Sequence, residues 1–363
     1  MGTIIRSLAT ANPARYVTGR EAYDFLTGHF ALGAPQRDLY RRLLIDGPIR
    51  GRYMGLEYDE QVCLMSADEQ LDRFQKQALA MATRAAAEAL AAAKLQPADV
   101  GGLVVNTCTG YLCPGLSSYV AEALGLAESV RVLDVMGMGC GGALPNLQSA
   151  CGLLATGETN GRSRPVLSIA VEVCSATIYM GDDPGLIVSN CLFGDGAAAA
   201  VLSLNGHAQE ESPPAGGPRA PKLLDFESQV LPAHRESLRY HHEQGRLRNT
   251  LSIRVPVIAG RAIRQLTGRL LARHGLSIGD INWWAIHPGG TAVLEQAAKE
   301  LALPSDALRY SYEVFAEYGN MSSPSVLFVL KRLLERAQPP KGQKGLLLSF
   351  GAGFTAFGAL VEF

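Results

Sequence analysis

The segment Arg131-Val-Leu-Asp-Val-Met-Gly-Met-Gly-Cys140-Gly-Gly-Ala-Leu-Pro-Asn146 constrains this chain more than any other. An apolar run (Val132, Leu133, Val135) passes through glycines and a cysteine into Leu144, Leu147, Cys151 and Leu154, which recur at helical spacing. The pattern predicts a strand, a tight turn and a helix reaching about Leu154, with Pro145 tolerated in the helix's first turn. Gly137, Gly139, Gly141 and Gly142 leave almost no bulk around Cys140, as a turn with positive φ or a close backbone approach requires. Two readings follow. Cys140 is a small buried residue at a crowded turn, or it is a nucleophile whose thiolate is stabilised by the helix N-terminus, where an oxyanion also binds.

Length and charge narrow the function classes. A chain of 363 residues buries a sizeable core, as two domains or one large one. A formal net charge of −1 gives no global electrostatic case for nucleic acid or an anionic membrane. No apolar run approaches the ~18 residues of a spanning helix, and the start lacks a signal-peptide pattern, which predicts a cytoplasmic protein. The cysteines (Cys63, Cys108, Cys113, Cys140, Cys151, Cys174, Cys191) are odd in number and lie in apolar segments, so they read as reduced thiols. None forms a CxxC pair or has a histidine at zinc spacing, so no metal site is expected.

Along the chain, residues 1–60 read as charged and irregular, with a helix from about Ala34 to Leu44. Arg37, Arg41, Arg42, Arg50 and Arg52 make a basic cluster, either a solvated face or a contact for the phosphates of a coenzyme. An Ala-rich helix is expected over 75–94, and strands at 100–106, 166–173 and 196–203 alternate with helices at 117–126 and after Cys140. The Pro/Gly-rich stretch 205–221 reads as a surface linker. Beyond it the alternation resumes, with helices near 258–274, 291–301 and 324–336, and strands at 283–286, 345–350 and 356–363. This alternation predicts a layered α/β fold from two similar halves. The boundaries are residues 1–206, a linker over 207–221, and residues 222–363. His241 and His242 fall in what reads as a polar loop.

Two segments of the second half place polar groups after apolar ones, Trp284-Ala-Ile-His287-Pro-Gly-Gly290 and Glu317-Tyr-Gly-Asn320-Met-Ser-Ser-Pro-Ser325. His287 follows a buried strand and should stand at a sheet edge, the usual location of α/β sites. Singly, His287 is explained as a core histidine and Asn320 as a helix N-cap. With Cys140 they supply a nucleophile, a base or hydrogen-bond donor, and an amide, a set that allows acyl transfer onto sulfur.

Cys140 in its glycine turn, His287-Pro-Gly-Gly and Gly319-Asn320-Met-Ser-Ser, in this order and at these separations, resemble the Cys-His-Asn triad of type III polyketide synthases, the chalcone-synthase-like members of the thiolase superfamily. Cys191-Leu-Phe193-Gly-Asp-Gly-Ala197 is similar to that family's gatekeeper segment, and Arg50-Gly-Arg-Tyr-Met54 to another family segment. The resemblance spans roughly residues 40–360. It implies a five-layer αβαβα fold and a homodimer acting on an acyl-CoA starter and malonyl-CoA, without cofactor. Cys140 would carry the acyl group, with His287 holding its thiolate as an ion pair. His287 and Asn320 would then stabilise the enolate left by decarboxylation, and the product would cyclise to a pyrone, resorcinol or related phenolic. Phe193 matches the gatekeeper; Cys108, Cys174, Thr177, Ser322 and Phe350 match pocket positions; Arg42 and Arg50 match coenzyme A contacts. Cys113 takes the place of a methionine that reaches into the partner subunit's cavity.

The departures are specific. The family's C-terminal Gly-Phe-Gly-Pro-Gly loop reads Ser349-Phe-Gly-Ala-Gly353 here, and thiols stand at 108 and 174 where plant members carry threonine, as in bacterial members. A second gatekeeper aromatic is not placed within 242–256. Three rival readings stay open: a type III ketoacyl-carrier-protein synthase that condenses once, a hydroxymethylglutaryl-CoA synthase with Glu172 as base, and a non-catalytic thiolase-fold binding protein.

Overall fold

The computed structural model describes residues 2–57, 66–159, 162–204 and 220–363. Its first half runs β1 (Thr3–Ala11), β2 (Tyr16–Thr18), α1 (Gly19–His29), α2 (Ala34–Leu44), β3 (Gly51–Tyr53), α3 (Ala67–Ala92), β4 (Gly102–Asn106), α4 (Leu116–Leu124), β5 (Arg131–Val135), α5 (Ala143–Thr156), β6 (Glu158–Thr159), β7 (Arg162–Ser163), β8 (Val166–Val173), α6 (Pro184–Leu192) and β9 (Asp195–Leu204). The second half continues with β10 (Lys222–Val230), β11 (Leu238–Glu243), β12 (Arg246–Leu251), α7 (Val255–Arg273), β13 (Trp283–Ile286), α8 (Thr291–Leu301), α9 (Arg309–Tyr318), α10 (Ser325–Ala337), β14 (Lys344–Gly351) and β15 (Thr355–Glu362).

Nine strands form one mixed sheet in the order β13-β14-β15-β10-β1-β9-β8-β4-β5. The two halves repeat one design about its middle. In the first, β4 and β8 are parallel and β8, β9 and β1 antiparallel. In the second, β13 and β14 are parallel and β14, β15 and β10 antiparallel. The halves meet where β1 pairs with β10, Thr3 opposite Leu223 and Ile4 opposite Lys222.

Packing turns this sheet into five layers. The outer face of the first half is covered by α3 and α4, whose Ala78, Ala82, Ala85, Ala86, Ala89 and Val120 are buried against Ala197, Ala199 and Val201 of β9. Alanine on both surfaces lets helix and strand approach closely, and Ser7 Oγ donates to Ala89 O at 2.7 Å across the contact. The middle layer is α5 and α10, with Leu144, Leu147, Val326 and Leu330 fully inside. The second outer layer is α7 and α8 on β13–β15. The fold is the five-layer α/β arrangement expected above.

Several local expectations need correction. Residues 1–60 are not irregular: β1 lies near the middle of the sheet, and α1 is started by a capping box between Thr18 and Glu21. The Ala-rich helix begins earlier, at Ala67, because Ser66 and Glu69 cap it in the same way. His241 and His242 lie in β11 of a hairpin rather than a loop. The strand before Cys140 is the sheet's edge, so Val132 and Leu133 are 50% and 41% exposed rather than buried. Most of the linker, and Cys63, lie outside the described residues.

The parallel strands fix where chemistry collects. Their C-terminal ends deliver Thr107–Thr109 (β4), Cys140 (β5), Cys174 (β8), His287 (β13) and Gly351 (β14) to one end of the sheet. Gly351 is the tightest point, since a Cβ there would lie 2.0 Å from Met138 O and 3.2 Å from Cys140 N. Gly351→Ala should therefore cost at least about 2 kcal/mol in urea unfolding. Gly152→Ala, on α5 with nothing within 4 Å, should be neutral or stabilising by up to about 1 kcal/mol.

Candidate active site

Cys140 sits in a single 3-10 turn, Gly139–Gly141, that leads into α5. Gly139 has φ +56°, and a Cβ there would meet Ala352 N at 2.7 Å. Gly141 and Gly142 have ordinary φ and serve the other purpose expected of them, close approach by Phe357 and by the Asn106 amide. Ser349 Oγ donates to Gly141 O at 3.2 Å, which ties β14 to the turn. The side chain of Cys140 is buried, and burial pushes its thiol up to about 12. Desolvation outweighs the helix N-terminus, which was expected to lower it.

His287 follows β13 directly and is fully buried. Its backbone N–H donates to Leu348 O at 2.8 Å, and its ring lies edge-on to Phe350 with centroids 5.2 Å apart. Neither ring nitrogen has a hydrogen-bond partner among the described residues. Burial lowers the imidazole to about 3. Burial thus raises the Cys140 thiol and lowers the His287 imidazole, opposing charge on both groups.

Asn320 opens the turn between α9 and α10. Its Oδ1 accepts from Ser322 N at 2.8 Å, its Nδ2 donates to Gly289 O at 3.4 Å, and its N–H donates to Leu192 O at 2.8 Å. The same turn holds Ser322 at φ +60°. Ser322 Oγ donates to Cys140 Sγ at 3.3 Å and lies 3.3 Å from Cys108 Sγ. One hydroxyl therefore joins two thiols, in a turn set by Asn320. The Gly289 to which Asn320 reaches packs against both Phe350 and His287 Nε2.

The remaining pocket positions divide. Phe193 packs on Cys140 and Cys174 in a buried cluster. It is placed by Arg52, whose guanidinium donates to Phe193 O at 2.9 Å and also to Asn190 O. Arg52 is thus an internal strut rather than part of a solvated basic cluster. Phe350 is buried between His287 and Phe354. Thr177 spends its hydroxyl on Cys174 O at 2.9 Å. Cys113 is exposed and does not line the pocket. Arg42 and Arg50 lie on the surface, paired with Asp38 at 3.0 Å and Glu317 at 3.2 Å.

Sequence reasoning gave no place to a second buried shell. Glu172, fully inside, accepts from Cys108 N (2.9 Å), Thr109 N (3.1 Å), Thr109 Oγ1 (2.8 Å), Thr107 Oγ1 (3.2 Å) and Ser323 Oγ (2.5 Å). Four of these bonds fall on Oε2 and one, from Ser323, on Oε1. Asn106 donates to Ser323 Oγ at 2.8 Å, and Asn146 to Asn106 Oδ1 at 2.9 Å. A charged residue inside the largely apolar strand Val166–Val173 was the available signal. A cavity of about 450 Å³ opens beside Cys108 and Gly139, walled by Phe74 and Leu71 of α3 and by Tyr240 and Leu247 of the hairpin.

Comparison with known proteins decides the family. The model for "Chalcone and stilbene synthases, C-terminal domain" matches residues 223–362, and that for "FAE1/Type III polyketide synthase-like protein" matches residues 57–213. A 3,5-dihydroxyphenylacetyl-CoA synthase of Streptomyces toyocaensis is 32% identical over 82% of this chain and 75% of its own length. This chain belongs to the type III polyketide synthases. It is accordingly an acyltransferase of the decarboxylative condensing kind. The 1,3,6,8-tetrahydroxynaphthalene synthase of Streptomyces peucetius subsp. caesius is 30% identical over 98% of the synthase described here and 92% of that relative. The crystal structure of PKS-I from the brown alga Ectocarpus siliculosus superposes with a TM-score of 0.89 at 27% identity, covering 99% of this chain and 98% of that one. Among the described residues of the synthase, no helix is long and apolar enough to cross a membrane.

The depressed His287 has a measurable consequence. A histidine whose folded pKa lies below its unfolded value takes up its proton on unfolding, so its contribution to stability is complete above about pH 6.5 and falls as pH drops toward 3. Between pH 7.5 and 4.5, His287→Gln should therefore lose about 2–3 kcal/mol less stability than wild type in urea titrations.

Proposed function

We propose that Cys140, His287 and Asn320 carry the condensation, with Cys140 as acyl carrier. The observation that supports this most is the junction at Ser322, where one hydroxyl meets the Cys140 thiol in a turn that Asn320 sets and that reaches the glycine beside His287. As the starter thioester binds, His287 takes the Cys140 proton, the sulfur attacks the acyl carbonyl, and coenzyme A leaves with a proton. Malonyl-CoA then loses CO₂. The resulting enolate oxygen takes hydrogen bonds from His287 Nε2 and Asn320 Nδ2, and its carbon attacks the acyl-cysteine, releasing the sulfur. Neutral groups suit both steps, since a desolvated site strengthens each donor toward developing charge.

Phe193 and Phe350 shape the space around the acyl-cysteine, and Cys108, Cys174, Thr177 and Ser322 line its deeper wall. Arg42 and Arg50 are proposed contacts for the coenzyme A phosphates. Their exposed ion pairs are weak and readily exchanged. The protein is proposed to act in the cytoplasm without a cofactor, in two thiolase-like halves, 1–206 and 222–363. A homodimer is proposed through the β5 edge, which offers unpaired backbone together with exposed Val132, Leu133 and Tyr111. Cys113 lies on the loop next to it and would enter the partner's cavity.

The test is mass spectrometry of the protein after malonyl-CoA and a panel of acyl-CoA starters. We expect an acyl adduct on Cys140, absent in Cys140→Ala, and pyrone or resorcinol products. His287→Gln and Asn320→Ala should each lower kcat about 10²–10³-fold. A Cys140→Ala protein with full turnover would sink the reading, and adducts that never extend would point to a single-condensation enzyme. For the dimer, sedimentation should give twice the monomer mass, and Val132→Lys should shift it toward monomer.

A further inference from the structure

Arg52 of β3 is a buried cation, only 4% exposed, that the chemistry proposed above leaves without a part. Carbonyls rather than carboxylates receive its hydrogen bonds. The guanidinium donates to Asn190 O and, at 2.9 Å, to Phe193 O, in the last turn and at the C-cap of α6. A buried cation is costly unless something negative faces it, and here the C-terminal end of a helix does so. The head of Arg52 therefore holds the backbone of the gatekeeper segment.

Its stem meets the segment that carries Asn320. Gly319 has φ +66°, and a Cβ there would lie 2.9 Å from Arg52 Cγ and 2.5 Å from Leu192 O. A Cβ on Gly194 would lie 3.3 Å from Arg52 Cβ. Beside these glycines the two segments are laced together: Asn320 N–H donates to Leu192 O at 2.8 Å, and Gly194 N–H donates to Asn320 O at 3.0 Å. Strand β3 is itself fixed to α9, since Arg50 N–H donates to Ala316 O at 2.8 Å and the Tyr53 and Tyr318 rings stack at 5.8 Å. Within its turn the Asn320 amide is oriented by Ser322 N, so the depth of the amide in the site follows the depth of the whole turn. That depth is set from behind, by the methylenes of Arg52.

We propose that Arg52 is a positioning residue for condensation: it clamps the gatekeeper segment to the Asn320 turn and so holds the Asn320 amide at the depth where the enolate oxygen forms. The proposal rests on the reading of Asn320 as an enolate donor. It assigns Arg52 to decarboxylation and extension and leaves the loading of Cys140 to other groups. A displacement of about 1 Å at such a donor costs on the order of 10²-fold in rate.

The test compares Arg52→Met, which keeps an apolar stem and removes the head, with Arg52→Lys, which keeps a cation able to hold one carbonyl. Folding of each is checked by circular dichroism. Each is assayed for Cys140 acylation by mass spectrometry and, separately, for CO₂ release from labelled malonyl-CoA, in which the carboxyl–carbon bond breaks and the enolate takes a proton to give acetyl-CoA. For Arg52→Met we expect kcat for CO₂ release lower by about 30–100-fold, KM within about twofold, and acylation slowed by no more than about threefold. Arg52→Lys should recover CO₂ release to within about tenfold of wild type. Because Arg52 acts through Asn320, the double variant Arg52→Met/Asn320→Ala should be no slower than Asn320→Ala alone. Wild-type CO₂ release in folded Arg52→Met overturns the proposal. So do a parallel loss of acylation and decarboxylation, which a merely structural role predicts, and additive losses in the double variant. Should Arg52→Met fail to fold, the same split is read in Arg52→Lys by the same criteria. Undiminished CO₂ release in Asn320→Ala removes the reading of Asn320 itself, and that variant is measured first.

Discussion

Everything at the site depends on a buried polar bridge between the two halves of the chain. Glu172 and Asn106 come from β8 and β4; Ser322 and Ser323 come from the turn between α9 and α10. Ser323 bonds to Glu172 and Asn106 while its neighbour Ser322 bonds to Cys140. A carboxylate so deeply buried is tolerable only if its oxygens are satisfied, and donors from both halves are needed to satisfy it. Separating the halves strands that charge. The constraint that holds the layers in register is thus the same one that sets the turn in which Asn320 reaches Gly289 and Ser322 meets the Cys140 thiol.

The second constraint is burial. Cys140 and His287 lie inside the protein against Phe193 and Phe350, which raises the thiol and lowers the imidazole. Under the mechanism proposed above, a hydrogen bond from imidazole or amide to an enolate is worth more in this buried site than in water. The helix dipole at α5 acts in the same direction as those donors, toward negative charge on the sulfur, but burial dominates until substrate arrives.

Much of this was legible in the chain. The glycines around Cys140 announced a crowded turn, and the apolar runs Val166–Val173 and Trp283–Ile286 announced buried strands, because periodicity and side-chain bulk are local properties. Helix α1 was written in its Thr18–Glu21 capping box and was passed over because its face is charged. Strand β10 and helix α9 were missed for a different reason. Lys222–Val230 is a polar strand that belongs to the sheet through its partners β1 and β15, and Arg309–Tyr318 has aromatic residues whose burial depends on α10. The inward turn of Arg52 and the exposure of β5 are likewise decided by tertiary neighbours, which spacing alone does not report. Cys140, His287 and Asn320 were named from their motifs, whereas the place of Glu172 follows only from the donors that surround it.

The place of β1 in the sheet has a consequence for biosynthesis. Thr3 pairs with both Leu204 and Leu223, so about 200 residues of chain must be made before this strand can find either neighbour. At roughly 5–20 residues per second, translation leaves β1 without its sheet for at least about ten seconds. Its apolar positions and both backbone edges are meanwhile open to other chains. The fold thus closes late around β1, an early strand whose partners β9 and β10 both come from beyond residue 194.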